Sequence, residues 1–588
     1  MSRIGDDNDR RKVLGTGMVE GVEAAPPARS RVIFPKSKVR HYTPTHAYAF
    51  LTMLLYSIIF ISGGAVLALE LLASRILTPY FGVSLYIWTG ILSITLVALA
   101  LGYKLGGALS RGRGNSTVSA ARLAQVYTAL PAVAAFAIVL ACLAYPHLFP
   151  LLARIDLVIG SFVACLLLLF VPLVAASAMN PLLVALLLTR GRGPIGDAGA
   201  GTVFFVSTIG SVAGVFVTAF GLIPVLSNFS ATLSVALALA LLSLAAAARP
   251  PAPLLDRGKL GIAAGVATLC AALLLWQADA YIGRMWPVSY AGQTWRIESR
   301  FNSLFGTVKI LRSDPDPETG HFARMYFQDG LVQNTVRSDG RSLSFYTYAL
   351  EALAHAYLDR IPSALVLGLG AGIVPGRLAA QGVDVEAVEI DPASITAAEE
   401  FFGFDARRVR VHLEDARTFL RHCGRRFDLV VVDLFYGDGT PEYLITRDFF
   451  RDLRSCLSPG GVAIFNTFAD LDVPNTYAHF LATLRSELPY VTLYRPHWPG
   501  SAHVNSFVVA GLRPMSDPRT VTLDYVPPRH SEVLTAMLAR PQALHHDLLD
   551  HGAIMTDAYN RAAHDMAQSQ LVYRQEVVRA LPAAFLVN

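Results

Sequence analysis

Apolar and polar positions divide the chain into two unlike parts. From about residue 43 to 278 apolar residues run almost unbroken, in stretches near 47–69, 84–108, 123–145, 157–189, 202–224, 229–248 and 260–276. A bilayer core needs about 20 apolar residues per helix, so each stretch is a candidate span. The fourth is overlong and contains Met179-Asn180-Pro181, which predicts a kink or tilt, and the seventh is the shortest. After residue 281 short β-type runs alternate with helical stretches. Residues 305–311 and 325–328 read as strands of a small antiparallel region turning at Asp329-Gly330, and 342–358 as a helix with Leu343, Tyr346, Leu350 and Leu353 on its apolar face. Strands at 364–367, 385–388, 409–412, 428–432 and 462–466 then alternate with helices, which predicts a doubly wound parallel sheet. The expected organisation is a flexible basic leader over 1–42, an α-helical multi-pass membrane domain over 43–278 and a small β region over 281–340. An α/β doubly wound, Rossmann-like domain with a helical tail follows over 341–588.

Composition agrees with this division. Of 588 residues, 53% are hydrophobic and only 16% charged, against about 25% charged in an average soluble protein. A disordered or purely soluble protein is excluded. The formal charge of +5 comes from 49 basic and 44 acidic side chains, too small an excess to imply a nucleic-acid partner. Cys142, Cys165 and Cys270 lie in apolar stretches, while Cys423 and Cys456 are far apart in the soluble part. No spacing suggests a metal site or a disulfide framework. His545-His546 with His551 reads as a solvated helix face, and no metal is expected.

Ligands of doubly wound sheets bind at the carboxyl ends of the strands, which selects four places. Gly368-Leu369-Gly370-Ala371-Gly372 ends the first strand, where missing side chains let a ligand approach the backbone and a helix N-terminus. Glu389 ends the second, about twenty residues on, where a carboxylate can accept both ribose hydroxyls. Glu414-Asp415-Ala416 ends the third, at the place of an adenine edge, and Asp433 ends the fourth, directed into the same crevice. This order predicts a nucleoside-type cofactor. Ile373-Val374-Pro375 stands where a dinucleotide fingerprint has its third glycine, and a further acid pair follows the third strand. Both favour an S-adenosyl compound over a dinucleotide.

The soluble part resembles the spermidine synthase (polyamine aminopropyltransferase) family, and nearly everything after residue 43 is similar to its membrane-fused branch. The resemblance rests on ELLASRILTPYFGVSLYIW, LGYKLGG and the Met179-Asn180-Pro181-Leu182 break in the membrane part. In the soluble part it rests on Phe327-Gln328-Asp329-Gly330-Leu331-Val332-Gln333 (like LDG-x-x-Q), VLGLGAG, VEID, EDAR and FDLVVVD. Pro496-His497-Trp498-Pro499-Gly500 is similar to PTYPSG, and Ile554-Met555-Thr556-Asp557-Ala558-Tyr559-Asn560 to a late LTDD-x-x-P stretch. The resemblance implies a transferase of S-adenosylmethionine-transferase fold that moves an aminopropyl group from decarboxylated S-adenosylmethionine to a small-molecule amine. It implies that Asp433 holds and deprotonates the attacking amine, with Tyr346 as the conserved tyrosine beside it. Donor binding falls to Gln333, Gly368, Gly370, Gly372, Glu389, Asp415 and Ala416, and acceptor binding to Tyr436, Asp438 and Trp498. A homodimer is expected. The chain departs from the family at Ala371, Ser342, Leu343, Tyr436 and Thr347. Four of these replace carboxylates that ordinarily hold cationic amines, which weakens putrescine as acceptor and decarboxylated S-adenosylmethionine as donor. Intact S-adenosylmethionine in a methyltransferase is the alternative, and a transporter or sensor that binds a nucleoside or polyamine is a third.

Basic residues cluster beside alternate spans. Arg29, Arg31, Lys36, Lys38 and Arg40 precede the first; Lys104, Arg111, Arg113 and Arg122 follow the second; Arg190 and Arg192 follow the fourth; Arg249, Arg257 and Lys259 follow the sixth. Positive loops face the cytoplasm, so the N-terminus is expected there. Seven crossings would put the soluble part outside, away from a cytosolic S-adenosyl donor. The expectation is therefore a plasma (inner) membrane protein with six crossings, its seventh stretch re-entrant or interfacial and its soluble domain cytoplasmic. Glu70 and Arg75, at the end of the first span, are expected to pair near the interface.

Overall fold

The computed structural model describes residues 46–83, 85–111, 118–189, 199–248, 256–435, 439–468, 474–498, 505–521, 525–542 and 551–588. The apolar part forms α1 (His46–Phe81), α2 (Leu85–Leu109), α3 (Ala120–Ile155), α4 (Leu157–Cys165), α5 (Val171–Thr189), α6 (Ala200–Val217), α7 (Asn228–Ala248), α8 (Arg257–Trp276) and the short α9 (Ala278–Gly283). A π turn at Leu166–Phe170 runs α4 into α5, and another at Thr218–Leu222 extends α6. Among the described residues, seven helices are then long and apolar enough to cross a membrane.

Three expectations need correction here. The irregularity of the fourth span is its π turn, while Pro181 sits inside an unbroken α5; prolines are tolerated where neighbouring helices pack around them. The seventh stretch is a continuous 20-residue helix lying along α7 and α3. It starts before its apolar run because Asp256 caps it, accepting from Lys259 N at 3.0 Å. Arg75 does not turn back to Glu70, since five residues along a helix point about 140° apart. It donates to Asn228 Oδ1 at 3.3 Å and to Leu304 O at 3.1 Å.

Helix direction alternates through the bundle, which gives it two unlike ends. At one end Pro79 O accepts from Arg574 at 3.2 Å and Arg154 donates to Leu581 O at 3.0 Å, both ties to the soluble part. At the other, Gln125 exchanges hydrogen bonds with the Asp256 backbone at 3.0 and 3.1 Å. Lys104, Arg111, Arg122, Arg257 and Lys259 belong to this second end. With seven helices, the basic end and the soluble part are at opposite poles.

The soluble part holds two sheets. The first is antiparallel, with strands β1 (Val288–Tyr290), β2 (Gln293–Ser303), β3 (Gly306–Ser313), β4 (Ala323–Gln328) and β5 (Leu331–Arg337) in sequence order. After it come α10 (Phe345–Tyr357), β6 (Ser363–Leu367), α11 (Ile373–Ala380), β7 (Asp384–Glu389), α12 (Pro392–Phe402), β8 (Val409–Leu413), α13 (Ala416–Arg421) and β9 (Phe427–Val432). The chain continues through α14 (Arg447–Cys456), β10 (Leu457–Phe468), α15 (Pro474–Arg485), β11 (Tyr490–Tyr494), β12 (Asn505–Gly511), α16 (Pro528–Leu538), α17 (Ala562–Ala580) and α18 (Ala583–Leu586). The second sheet has the order β11-β12-β10-β9-β6-β7-β8. It is mixed rather than purely parallel, because β12 pairs antiparallel with β10 and β11 antiparallel with β12. Chain order reverses between β6 and β9, a switch point where such sheets bind ligands. Cys423, after α13, and Cys456, ending α14, are paired as a disulfide with Cα atoms 5.9 Å apart. The packing of α13 on α14 brings together two cysteines that looked unrelated by spacing.

The first sheet packs on both faces, against the second sheet's helices and against the bundle, and its middle strand β3 is the most buried. Phe301 of β2 meets Phe401 of α12 with ring centroids 6.0 Å apart. On the other face Lys309 of β3 is fully buried and donates to Val587 O at 2.9 Å and to Phe585 O. The β4–β5 turn then wedges against α1: Gly330 has φ +89°, and a Cβ there would lie 2.4 Å from Pro79 O. Gly330→Ala is expected to destabilise the full chain by about 2 kcal/mol, from the left-handed backbone plus the clash, read as a lowered thermal-unfolding midpoint in detergent.

Candidate active site

The switch point is built by backbone contact before any side chain enters. Asp433 N donates to Leu367 O and Gly368 N to Val388 O, both at 2.9 Å, so the ends of β6, β7 and β9 are tied together. Gly368 has φ +92°, and a Cβ on it would stand 2.2 Å from Asp433 O. Only glycine lets the two loops approach this closely. Above them opens a cavity of about 610 Å³, walled by the β2–β3 turn, β5, the start of α10 and Tyr573 of α17.

Most residues expected at the site line this cavity: Gln333, Tyr346, Gly368, Gly370, Glu389, Asp415, Ala416, Asp433 and Trp498. Gly372 does not. It precedes α11 with φ +72° and packs under Phe404, to which a Cβ would come within 2.7 Å. Tyr436 and Asp438 lie outside the described residues. Ala371 is 1% exposed, belongs to a cluster with Val308, Ile310 and Tyr326, and does not line the cavity.

The acids have different surroundings. Glu389 accepts from Leu369 N at 3.0 Å on one oxygen and from Asp391 N at 2.8 Å on the other. Each oxygen keeps a second lone pair for a ligand, and burial raises its pKa. Asp415 caps α13, accepting from Thr418 N at 2.9 Å, while its other oxygen takes the Tyr443 hydroxyl at 3.2 Å. Asp433 accepts from Asn466 Nδ2 at 2.8 Å, and Asn466 Oδ1 in turn accepts from Asn505 Nδ2 at 2.8 Å. Burial pushes Asp433 up to about 6; the Asn466 bond pulls it down and the charge of Glu389 adds to the rise. The Tyr346 hydroxyl accepts from Asn334 Nδ2 at 3.2 Å, and burial raises its pKa, with Asp433 adding. Trp498 meets Phe345 edge-on at 5.3 Å.

Sequence reasoning passed over Asp391, Asn466, Asn505, Tyr443 and Tyr573, which also line the cavity. Asn466 had a signal, since it ends an apolar run read as a strand. Asn505 sits at the start of an antiparallel strand, and Tyr573 comes from the tail, where the strand-end rule has no force. The stretch before α17 docks beside the cavity: Asp557 takes Thr446 Oγ1 at 2.9 Å and the Arg417 guanidinium, and Asn560 donates to Glu442 O at 2.7 Å. Among the described residues no group of three or more His, Cys, Asp or Glu could hold a metal.

Known proteins match the part that carries this cavity. Residues 347–499 match the family described as "Spermine/spermidine synthase domain". A polyamine aminopropyltransferase of Vibrio vulnificus is 35% identical over 149 residues, 24% of this chain and 49% of that one. An N-terminal histidine N-methyltransferase of Emericella nidulans is 33% identical over 142 residues, 23% of this chain and 25% of that one. A probable spermidine synthase structure from Corynebacterium glutamicum is 19% identical with a TM-score of 0.33, covering 37% of this chain and 80% of that one. The chain spans about half or less of the length of these two curated relatives. Over residues 347–499, which include the ends of β6, β7 and β9, the chain is similar to the spermine/spermidine synthase domain.

Proposed function

We propose that the chain is a membrane-anchored aminopropyltransferase-like enzyme that moves an aminopropyl group from decarboxylated S-adenosylmethionine to an amine. The observation that carries this reading is Asp433, a carboxylate poised near neutrality at the switch point and oriented by Asn466. The residues present fit a nucleoside donor: Glu389 has lone pairs free for ribose hydroxyls, the Gly368–Gly370 backbone admits close approach, and Ile390, Pro441 and Leu444 offer apolar walls to a flat base. The donor supplies a carbon activated by a sulfonium leaving group. Asp433 and Tyr346 hold the amine in line with that carbon, and Asp433 takes the proton the amine loses as the new C–N bond forms and the C–S bond breaks. Gln333 is assigned to the donor and Trp498 to the acceptor, both lining the cavity, and Tyr436 and Asp438 are assigned to the acceptor by the family resemblance.

An S-adenosylmethionine methyltransferase is the second reading, favoured by Ala371, which brings no acid to the cavity. Purified protein offered both donors with a panel of amines separates the two. Amine-dependent methylthioadenosine supports the first, and S-adenosylhomocysteine overturns it in favour of the second. The pH profile adds a finer check. The base must be ionised, so kcat/KM is expected to rise with pH through about 6 and level off above it. Asn466→Ala removes a bond that favours the carboxylate, so that limb is expected to move to higher pH.

The seven apolar helices support a membrane location. Cytosolic supply of S-adenosyl donors supports a cytoplasmic soluble domain, whereas Lys104, Arg111, Arg122, Arg257 and Lys259 at the opposite pole support the reverse. A compartment-specific reporter fused after residue 588 decides between them.

A further inference from the structure

A second cavity of about 630 Å³ lies apart from the first, between the bundle and the bundle-facing side of β2. Its walls are the chain joining the π-extended α6 to α7, the end of α9 and β2 itself. Arg300 projects into it, because its neighbour Phe301 faces the other way onto Phe401. Arg300 Nε is buried and makes no hydrogen bond among the described residues, and Trp286 Nε1 on the same wall is in the same condition. Arg300 as a whole is half-buried, and a guanidinium with a buried, unpaired N–H and no ion pair within 4.0 Å among the described residues gains from a bound anion. Across the sheet Arg300 is paired with Lys309, a fully buried cation whose ammonium is already taken by two carbonyls. Asp279 is the acid on the cavity wall and makes no ion pair within 4.0 Å among the described residues; Arg296 is the other cation, paired outward with Asp314 at 3.4 Å. Ser227, Ser230 and Asn302 add polar groups. Val225, 75% exposed, provides an apolar lip.

The place of this cavity narrows the ligand. It opens where α6, α7 and α8 end on the soluble side, the depth at which a bilayer puts its phosphates, about 5–8 Å beyond the hydrocarbon core. We propose that this cavity binds a phosphate group of net negative charge, not one compensated by its own ammonium, with Arg300 as its ion-pair partner, the Trp286 N–H and Ser230 as hydrogen-bond donors, and Val225 beside any acyl chain. The inference rests on reading the apolar helices as membrane spans and is independent of the transfer reaction.

The full chain, reconstituted in nanodiscs of equimolar phosphatidylcholine and phosphatidylglycerol, tests it by mass spectrometry of the lipid that stays bound after detergent exchange. A second arm adds sodium phosphate to the protein in neutral detergent and reads the thermal-unfolding shift. Wild type is expected to retain phosphatidylglycerol over phosphatidylcholine about tenfold, and Arg300→Gln to lose that preference. Asp279→Asn, which removes the opposing acid, is expected to strengthen it, and this rise in binding keeps the test sharp should the arginine variant fold poorly. Stabilisation by sodium phosphate that Arg300→Gln abolishes, without lipid preference, assigns the site to a free phosphate. Equal retention of both lipids with no phosphate shift, or a preference unchanged in both variants, overturns the proposal. Binding is read without donor or amine, so its failure is distinct from failure of the enzymatic reading.

Discussion

Asp433→Asn is expected to lower amine-dependent methylthioadenosine formation by about 10²- to 10⁴-fold, the usual contribution of a positioned base, while leaving donor affinity nearly unchanged. The amide is isosteric and can still bond Asn466, so the fold and the β6–β9 contact survive, since the latter runs through the backbone: Asp433 N to Leu367 O, and Asp433 O packed on Gly368. What disappears is the group that takes the proton. The measurement is product formation at saturating donor over pH 5 to 9. The wild-type limb near 6 should be absent from whatever rate remains. A variant that keeps both rate and limb would remove Asp433 from the reaction and leave the proton to Tyr346 or Asp438.

Glu389→Gln has the second largest expected effect, and it falls on the donor. Both carboxylate oxygens accept backbone N–H groups, from Leu369 and Asp391. An amide turns one of these acceptors into a donor, so one backbone N–H loses its partner as the charged acceptor for the ribose is lost. Hydrogen bonds to a charged group contribute about 1.5–3 kcal/mol, so the donor KM is expected to rise about tenfold to a hundredfold, with the amine KM little changed. Titration calorimetry with the nucleoside product reads the same loss without turnover. Equal affinity in the variant would mean that Glu389 serves the loop and not the ligand.

These two acids were legible before the structure because each ends an apolar strand of a doubly wound pattern, a local signal with a general physical basis. The same signal placed Gly368 and Gly370 and, had polar strand-ends been weighed as acids were, would have placed Asn466. Gly372 was misplaced because loop spacing does not say which glycine faces the ligand and which packs beneath Phe404. β2 was missed because it meets two unlike neighbours: Arg300 looks to the bundle and Phe301 to the second sheet, so its polar and apolar residues do not alternate as one solvated face would. Lys309 and Arg574 carry no sequence signal that sets them apart from other cations, and nothing local reveals that carbonyls of distant segments will bury them. The Cys423–Cys456 pair depends in the same way on how α13 meets α14, a relation that spacing along the chain does not carry.

Arg75 holds Leu304 O, and Leu304 with Phe305 forms one wall of the cavity at the switch point. The tail that contributes Tyr573 is fastened to the bundle through Arg154 and to the first sheet through Lys309. The two halves are therefore not modules joined by a linker. A truncated chain beginning near residue 280 would lack the helix ends that set this wall and would expose the apolar face that now meets them. Work on a detached soluble half would then measure a different cavity from the one the intact protein owns, and the bundle is as much a part of that cavity's scaffold as the two sheets are.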